Sequence, residues 1–206
     1  MHSQEQVMRV ARSVVAVVLV AVAHGVATSQ VSTGARPIDA ERSTLTVFVY
    51  KSGLFSAFAD NHVIRAPIAG GSVSDAAPLH VDLLVRAAEL KVLDPDLGAD
   101  KRADVQTRMV GPGVLDVARF PEITFASTRV DIAGADRWTV TGRLTIHGQS
   151  REIMFPVTRK DGRYRGEVPI RQRDFGIEPI KVAGGTVRVK DDLKIQFEIA
   201  VSEQGS

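Results

Sequence analysis

Residues 138–157 read WTVTGRLTIHGQSREIMFPV. Trp138, Val140, Gly142, Leu144 and Ile146 alternate with Thr139, Thr141, Arg143, Thr145 and His147. A period of two, apolar on one face and wet on the other, is that of a half-buried antiparallel strand. His147, Gly148, Gln149 and Ser150 supply a short turn. The next run, residues 151–160, puts Ile153, Phe155 and Val157 on one side. Two such runs joined through a Gly-containing turn predict a β-hairpin.

Working outward, the same pattern repeats. Asp161-Gly162 is a second hairpin turn, leading to Tyr164, Gly166, Val168 and Ile170 on one face. Leu193, Ile195, Phe197, Ile199 and Val201 alternate with Lys194, Gln196, Glu198, Ala200 and Ser202. Upstream, residues 123–130, 79–86, 62–68 and 44–50 read as strands. The last of these carries bulk on both faces (Val47 and Val49 against Phe48 and Tyr50), which predicts cover on both sides. Ala69-Gly70-Gly71 and Ala76-Ala77-Pro78 read as separators, and Gly184-Gly185 as a turn. The stretch 53–59, GLFSAFA, breaks the alternation and reads as a short apolar helix or loop against the sheet. One helix interrupts the β pattern. Asp100 is placed to cap residues 101–110, with Val105 and Met109 inward and an Asp104–Arg108 pair outside. Gly111-Pro112-Gly113 ends it.

Many short strands with one apolar face predict an all-β sandwich or closed barrel. A barrel of about eight strands is filled by side chains or holds one small ligand. Gly142 and Gly166 fall at inward positions, which suggests open bore.

The first segment stands apart. Arg9 and Arg12 precede an apolar run over 14–23, and Gly25-Val26-Ala27 offers small residues for cleavage. Residues 1–27 therefore read as a signal peptide, with cleavage after Ala27 or Ala23. The run is short for a membrane span. Residues 28–37 read as a mobile segment, and 38–203 as the barrel domain. This predicts a periplasmic or secreted protein. The 206-residue chain has a formal charge of +2, and removal of Arg9, Arg12 and Glu5 leaves it near neutral. That gives no electrostatic footprint of nucleic-acid binding. With no Cys there is no disulfide, thiolate nucleophile or Cys-based metal site.

Three segments carry a resemblance. They are Phe120-Pro121-Glu122-Ile123-Thr124-Phe125-Ala126-Ser127, then Gly142-Arg143-Leu144-Thr145-Ile146-His147-Gly148, then Arg173-Asp174-Phe175-Gly176. In order, they are similar to the recurring signatures of the YceI-like family: aromatic-Pro followed by Ile-x-Phe-x-Ser, Gly-x-Leu-x-Ile-x-Gly, and Arg-x-Phe-Gly. Where that family usually opens on Asp and then His-Ser, this chain has Asp39 and then Arg42-Ser43. The resemblance spans roughly residues 38–201. It implies a lipocalin-like antiparallel barrel with a helical insertion. It also implies an exported, non-enzymatic protein that holds an isoprenoid or other long lipid in an apolar tunnel, with no cofactor.

The candidate lining is Val47, Val49, Phe55, Phe58, Leu83, Val85, Phe125, Trp138, Leu144, Phe155, Phe175, Ile195 and Phe197. Asp60, His62 and Arg173 are candidates to meet a ligand headgroup at the mouth. Other readings stay open: an envelope interaction module with a filled core, and a metal-dependent hydrolase using His62 and Asp60. An envelope partner or a homodimer is compatible with either. His62, His80 and the Asp60-Asn61 pair lack the spacing of a helical metal site. His147, at a turn, reads as exposed. Ser43, Ser52 and Ser127 invite a nucleophile reading, but no Gly-x-Ser-x-Gly elbow accompanies them.

Overall fold

The computed structural model describes residues 34–52, 61–182 and 187–202. The expected signal peptide, the helix or loop over 53–59, Asp60 and the Gly184-Gly185 turn lie outside the described residues. So do residues 28–33 of the expected mobile segment. In chain order the elements are β1 (Ala35–Ser52), β2 (His62–Arg65), β3 (Ile68–Ser74), β4 (His80–Arg86) and β5 (Lys91–Val92). Helix α1 (Ala99–Val110) follows, then β6 (Glu122–Gly134), β7 (Arg137–Ile146), β8 (Gln149–Lys160), β9 (Arg163–Arg171), β10 (Lys181–Val182) and β11 (Val187–Val201). Eight strands close a ring in the order β1-β3-β4-β6-β7-β8-β9-β11 and back to β1. Every neighbouring pair is antiparallel. Closure satisfies the edges that an open sheet would leave unpaired.

The hairpins form where the alternation placed them. Thr139, Thr141 and Arg143 face away from Val140, Gly142 and Leu144, and β7 pairs with β8 from Arg137↔Thr158 to Ile146↔Gln149. The connection is tighter than the four residues expected: His147-Gly148 alone, with φ of 50° and 70°. Asp161-Gly162 repeats this, at 53° and 73°. Positive φ at both central residues is the turn whose twist matches its flanking strands.

The first half of the chain departs further from its sequence reading. β1 begins at Ala35 and includes residues expected to be mobile, because Ala35, Arg36 and Pro37 pair with Ser74, Val73 and Ser72. Residues 62–74 are one strand broken at Ala66-Pro67. Proline offers no N–H to the ladder, and the flanking pieces pair separately with the two ends of β1. Gly70-Gly71 lies inside β3, not between strands. Gly71 has φ +140°, and a Cβ there would sit 2.3 Å from the Asp82 carbonyl oxygen, so this close crossing requires glycine. Ser43 marks a bulge between Asp39 and Thr44. Its buried hydroxyl accepts from the Ala200 N–H at 2.9 Å and lies 3.3 Å from the Ala200 carbonyl. This is a structural stitch across β1 and β11.

Helix α1 starts at Gly98 as its cap, with no side-chain capping bond, and Asp100 lies in the first turn. Met109 is buried and Val105 packs on the core. No ion pair joins Asp104 to Arg108 among the described residues. Phe48 is half-buried on the outside of β1, covered by the Lys194 ammonium 5.2 Å from its ring centroid and not by a second layer.

Candidate functional site

The barrel is hollow. A cavity of about 640 Å³ runs through it, in the range of small-molecule sites. Its wall is almost wholly aliphatic and aromatic. Val47, Val49, Leu83, Val85, Phe125, Trp138, Leu144, Phe155, Phe175, Ile195 and Phe197 all line it. Phe55 and Phe58 lie outside the described residues. Leu45, Val47, Leu83, Leu193, Ile195 and Phe197 point inward yet are only partly buried. Their free surface faces the bore. If sealed and empty, a void of this size would cost on the order of 15 kcal/mol at ~24 cal/mol per Å³. That is the upper end of the whole stability of a typical domain, so a bore of this size is suited to being filled by an apolar guest or solvent and not to standing empty.

The inward glycines are not where the bore opens. A Cβ at Gly142 would meet the Phe125 ring at 2.5 Å, and one at Gly166 the Phe197 ring at 2.5 Å. Each glycine lets an aromatic ring from the neighbouring strand lie flat on the sheet. Phe155 stands between these two rings, at centroid distances of 5.5 and 5.8 Å. These separations suit tilted aromatic packing.

Two polar ends flank the apolar wall. One end holds the start of β1 and the ends of β3 and β8. There Asp75 Oδ2 accepts from Arg36 at 2.6 Å and from the Tyr164 hydroxyl at 2.7 Å, with Arg159 at 3.5 Å. The Trp138 and Tyr164 rings lie 5.8 Å apart. Sequence reasoning missed this cluster, because Asp75 and Arg36 sit in stretches read as loop or mobile tail. Burial pushes the Tyr164 hydroxyl up to about 12, assisted by its bond to Asp75. Burial acts to raise Asp75 too, but the Tyr164 hydroxyl and the two arginines outweigh it and hold its carboxyl below the usual value. The two signs give opposite pH limits. Tyr164 contributes stability below pH 10 that is lost as pH rises towards about 12. Asp75 contributes above about pH 4, and this is lost as pH falls through its lowered value. Tyr164→Phe should therefore cost about 1.5–3 kcal/mol at pH 7, the range for a hydrogen bond to a charged group. It should also flatten the alkaline limb. Urea midpoints at pH 7 and pH 11 would check both, and an unchanged alkaline limb would refute the assignment.

At the other end, His62 lines the cavity. Its Nδ1 lies 2.5 Å from Oδ2 of Asp94, which is 3 % exposed, and Asp94 Oδ1 accepts from the Val63 N–H at 2.7 Å. Asp94, the partner of His62, was read only as part of a loop. Lys51, Lys101, Asp104 and Arg108 line the same end. Arg173 does not line the cavity; it is exposed and ion-paired to Glu178 and Asp191. Among the described residues no group of three His, Asp or Glu is placed to hold a metal.

Ser127 and His80 do meet, Oγ to Nδ1 at 3.1 Å, and His80 Nε2 lies 3.5 Å from Asp82. The same Ser127 Oγ accepts from the Val81 N–H at 2.9 Å, beside a bulge in β6. It satisfies backbone there. His147 is half-buried, with Nδ1 3.3 Å from the Phe175 carbonyl and its ring 4.5 Å from that of Phe120. Gly148, beside it, leaves room for the Phe120 ring. The three signature segments thus converge on one corner of the barrel, around Phe175, which is 2 % exposed.

A closed eight-strand antiparallel barrel around an apolar cavity defines a binding-protein fold. The YceI-like domain description matches residues 37–201, and the chain belongs to the YceI-like family, a family of polyisoprenoid-binding barrels. The UPF0312 protein of Pseudomonas savastanoi pv. phaseolicola is 40% identical over 94 residues, covering 41% of this chain and 47% of that protein. A UPF0312 protein of Pseudomonas syringae pv. syringae matches to the same extent. The chain thus spans about half the length of these curated relatives. The crystal structure of Burkholderia cenocepacia BcnA shares the fold, with a TM-score of 0.57 at 19% identity, covering 79% of this chain and 98% of that one.

Proposed function

We propose that this protein is an exported carrier or store for an isoprenoid or a similar long apolar chain, held in the barrel and not chemically changed. The carrying observation is the hollow, apolar bore of about 640 Å³. On the scale of a water's ~30 Å³ share of liquid volume, it takes roughly twenty such groups. Burial of that chain gains roughly 25 cal/mol per Å² of apolar surface. The family's polyisoprenoid-type ligands support the same reading. The reading of a filled barrel as an envelope interaction module loses its premise, since side chains leave the centre hollow. Export rests on the basic and apolar pattern of residues 1–27.

Native mass spectrometry of the protein from its own host tests both parts. The expected result is a polypeptide that begins at Thr28, from the periplasmic or secreted fraction, carrying one extractable apolar species. A ligand-free mass, with no displacement of a fluorescent apolar probe, would overturn the lipid reading. A full-length cytoplasmic product would overturn export.

A further inference from the structure

The polar groups at the two ends of the cavity differ in one respect. At the Tyr164 end the cations are already answered: Arg36 and Arg159 both reach Asp75. At the α1 end Lys51, Lys101 and Arg108 line the mouth, and none has a carboxylate partner among the described residues. The carboxylates there are Asp104, also at the mouth, and Asp94, which is taken by His62 and the Val63 N–H. Arg102 turns to the backbone carbonyls of Asp94 and Leu97. Among the described residues that line it, the mouth therefore carries three cations against one free carboxylate.

The sequence explains the arrangement. Lys101, Asp104, Val105, Arg108 and Met109 recur at helical spacing on one face of α1. Val105 and Met109 seat that face on the core. The long stems of Lys101 and Arg108 can lie along apolar wall while their heads stay wet. Lys51 comes from the end of β1, fourteen residues beyond Pro37 at the opposite end of the barrel.

We infer that the α1 mouth is a headgroup site for an anionic amphiphile, a phosphate or carboxylate on a long apolar tail, received by Lys51, Lys101 and Arg108. This rests on the lipid-binding reading and deepens it by giving the ligand a direction. The anion stays at α1, and the tail runs towards Trp138 and Tyr164. A neutral head would leave the cations unanswered. Each cation–anion contact in water-like surroundings contributes on the order of fivefold in affinity. With Asp104 opposing one of the three, the net preference for an anionic over a neutral head is about 25-fold.

Three probes with one tail isolate the head: hexadecyl phosphate, palmitate and hexadecanol, each displacing a fluorescent apolar dye from the full protein. Both anions should bind at least tenfold tighter than the alcohol at low salt. The ratio should shrink in 1 M NaCl, where the Debye length is about 3 Å. Lys101→Gln with Arg108→Gln should bring the anion-to-alcohol ratio towards one, while Arg143→Gln, on the outer face of β7, should leave it unchanged. Inorganic phosphate alone should not displace the dye. Equal affinity for the three probes would overturn the headgroup site and leave the lipid-binding reading standing. A ratio that survives the double substitution would also overturn it, as would dye displacement by inorganic phosphate. If no probe binds, both readings fall.

Discussion

Replacing Phe175 by Ala should cost about 3–5 kcal/mol, the range for removing a fully buried phenylalanine. For a domain of this size that lowers Tm by roughly 6–20 °C. Phe175 is 2 % exposed, the most enclosed aromatic ring among the described residues. It sits in the short helical turn after β9, where Gly176 adopts φ +71°. Its carbonyl lies 3.3 Å from His147 Nδ1, and the His147 ring packs on Phe120. Removing the side chain leaves a gap at the joint of three segments far apart in sequence, so little can collapse into it. Phe48→Ala is the control. That ring lies on the outside, against Lys194, and its loss should cost well under half as much. Urea titration of the two variants decides the matter. Equal losses would mean that the signature corner is not a point of support.

That corner shows what was legible in the sequence and what was not. Strands β6 to β9 and the 193–201 part of β11 were readable because period-two alternation and two positive-φ turns agree with each other there; β10 was not read. Local propensity, turn chemistry and burial all point one way. Ten of the eleven described lining residues lie on strands and were readable for the same reason; Phe175 lies in the helical turn after β9. An inward position on a closed sheet can only be core or bore. Alternation could not tell those two apart, because a side chain facing a cavity and one facing a neighbour have the same period.

The glycines show the limit most clearly. Gly142 and Gly166 were read as gaps, yet each is covered by a ring whose orientation depends on cross-strand register. The stitch at Ser43 and the Asp75 cluster depend on pairings between residues up to 157 apart. No local pattern encodes them. Asp104 and Arg108 were read as an outward pair because they are four apart on a helix. The face they share instead borders the cavity, which only tertiary placement of α1 could reveal.

Filling the bore should remove binding while leaving the fold. Leu83 and Ile195 lie on β4 and β11, point into the cavity and are only partly buried. Tryptophan at both positions adds volume where there is space, so the 1–3 kcal/mol penalty of overpacking a dense core should not apply. Some stability should instead be gained from apolar area newly buried across the void, at ~25 cal/mol per Å². A long chain that needs the same space would meet two rings in its path, and affinity for an apolar probe should fall at least tenfold. Probe titration and thermal unfolding of Leu83→Trp/Ile195→Trp check the two halves together. Weaker binding with an unchanged or raised Tm places the ligand in the bore. Unchanged binding would move the ligand to the outer surface, whatever the cavity suggests. Weaker binding with a large drop in Tm would mean that the walls around these positions are closed, and that the space lies elsewhere along the barrel.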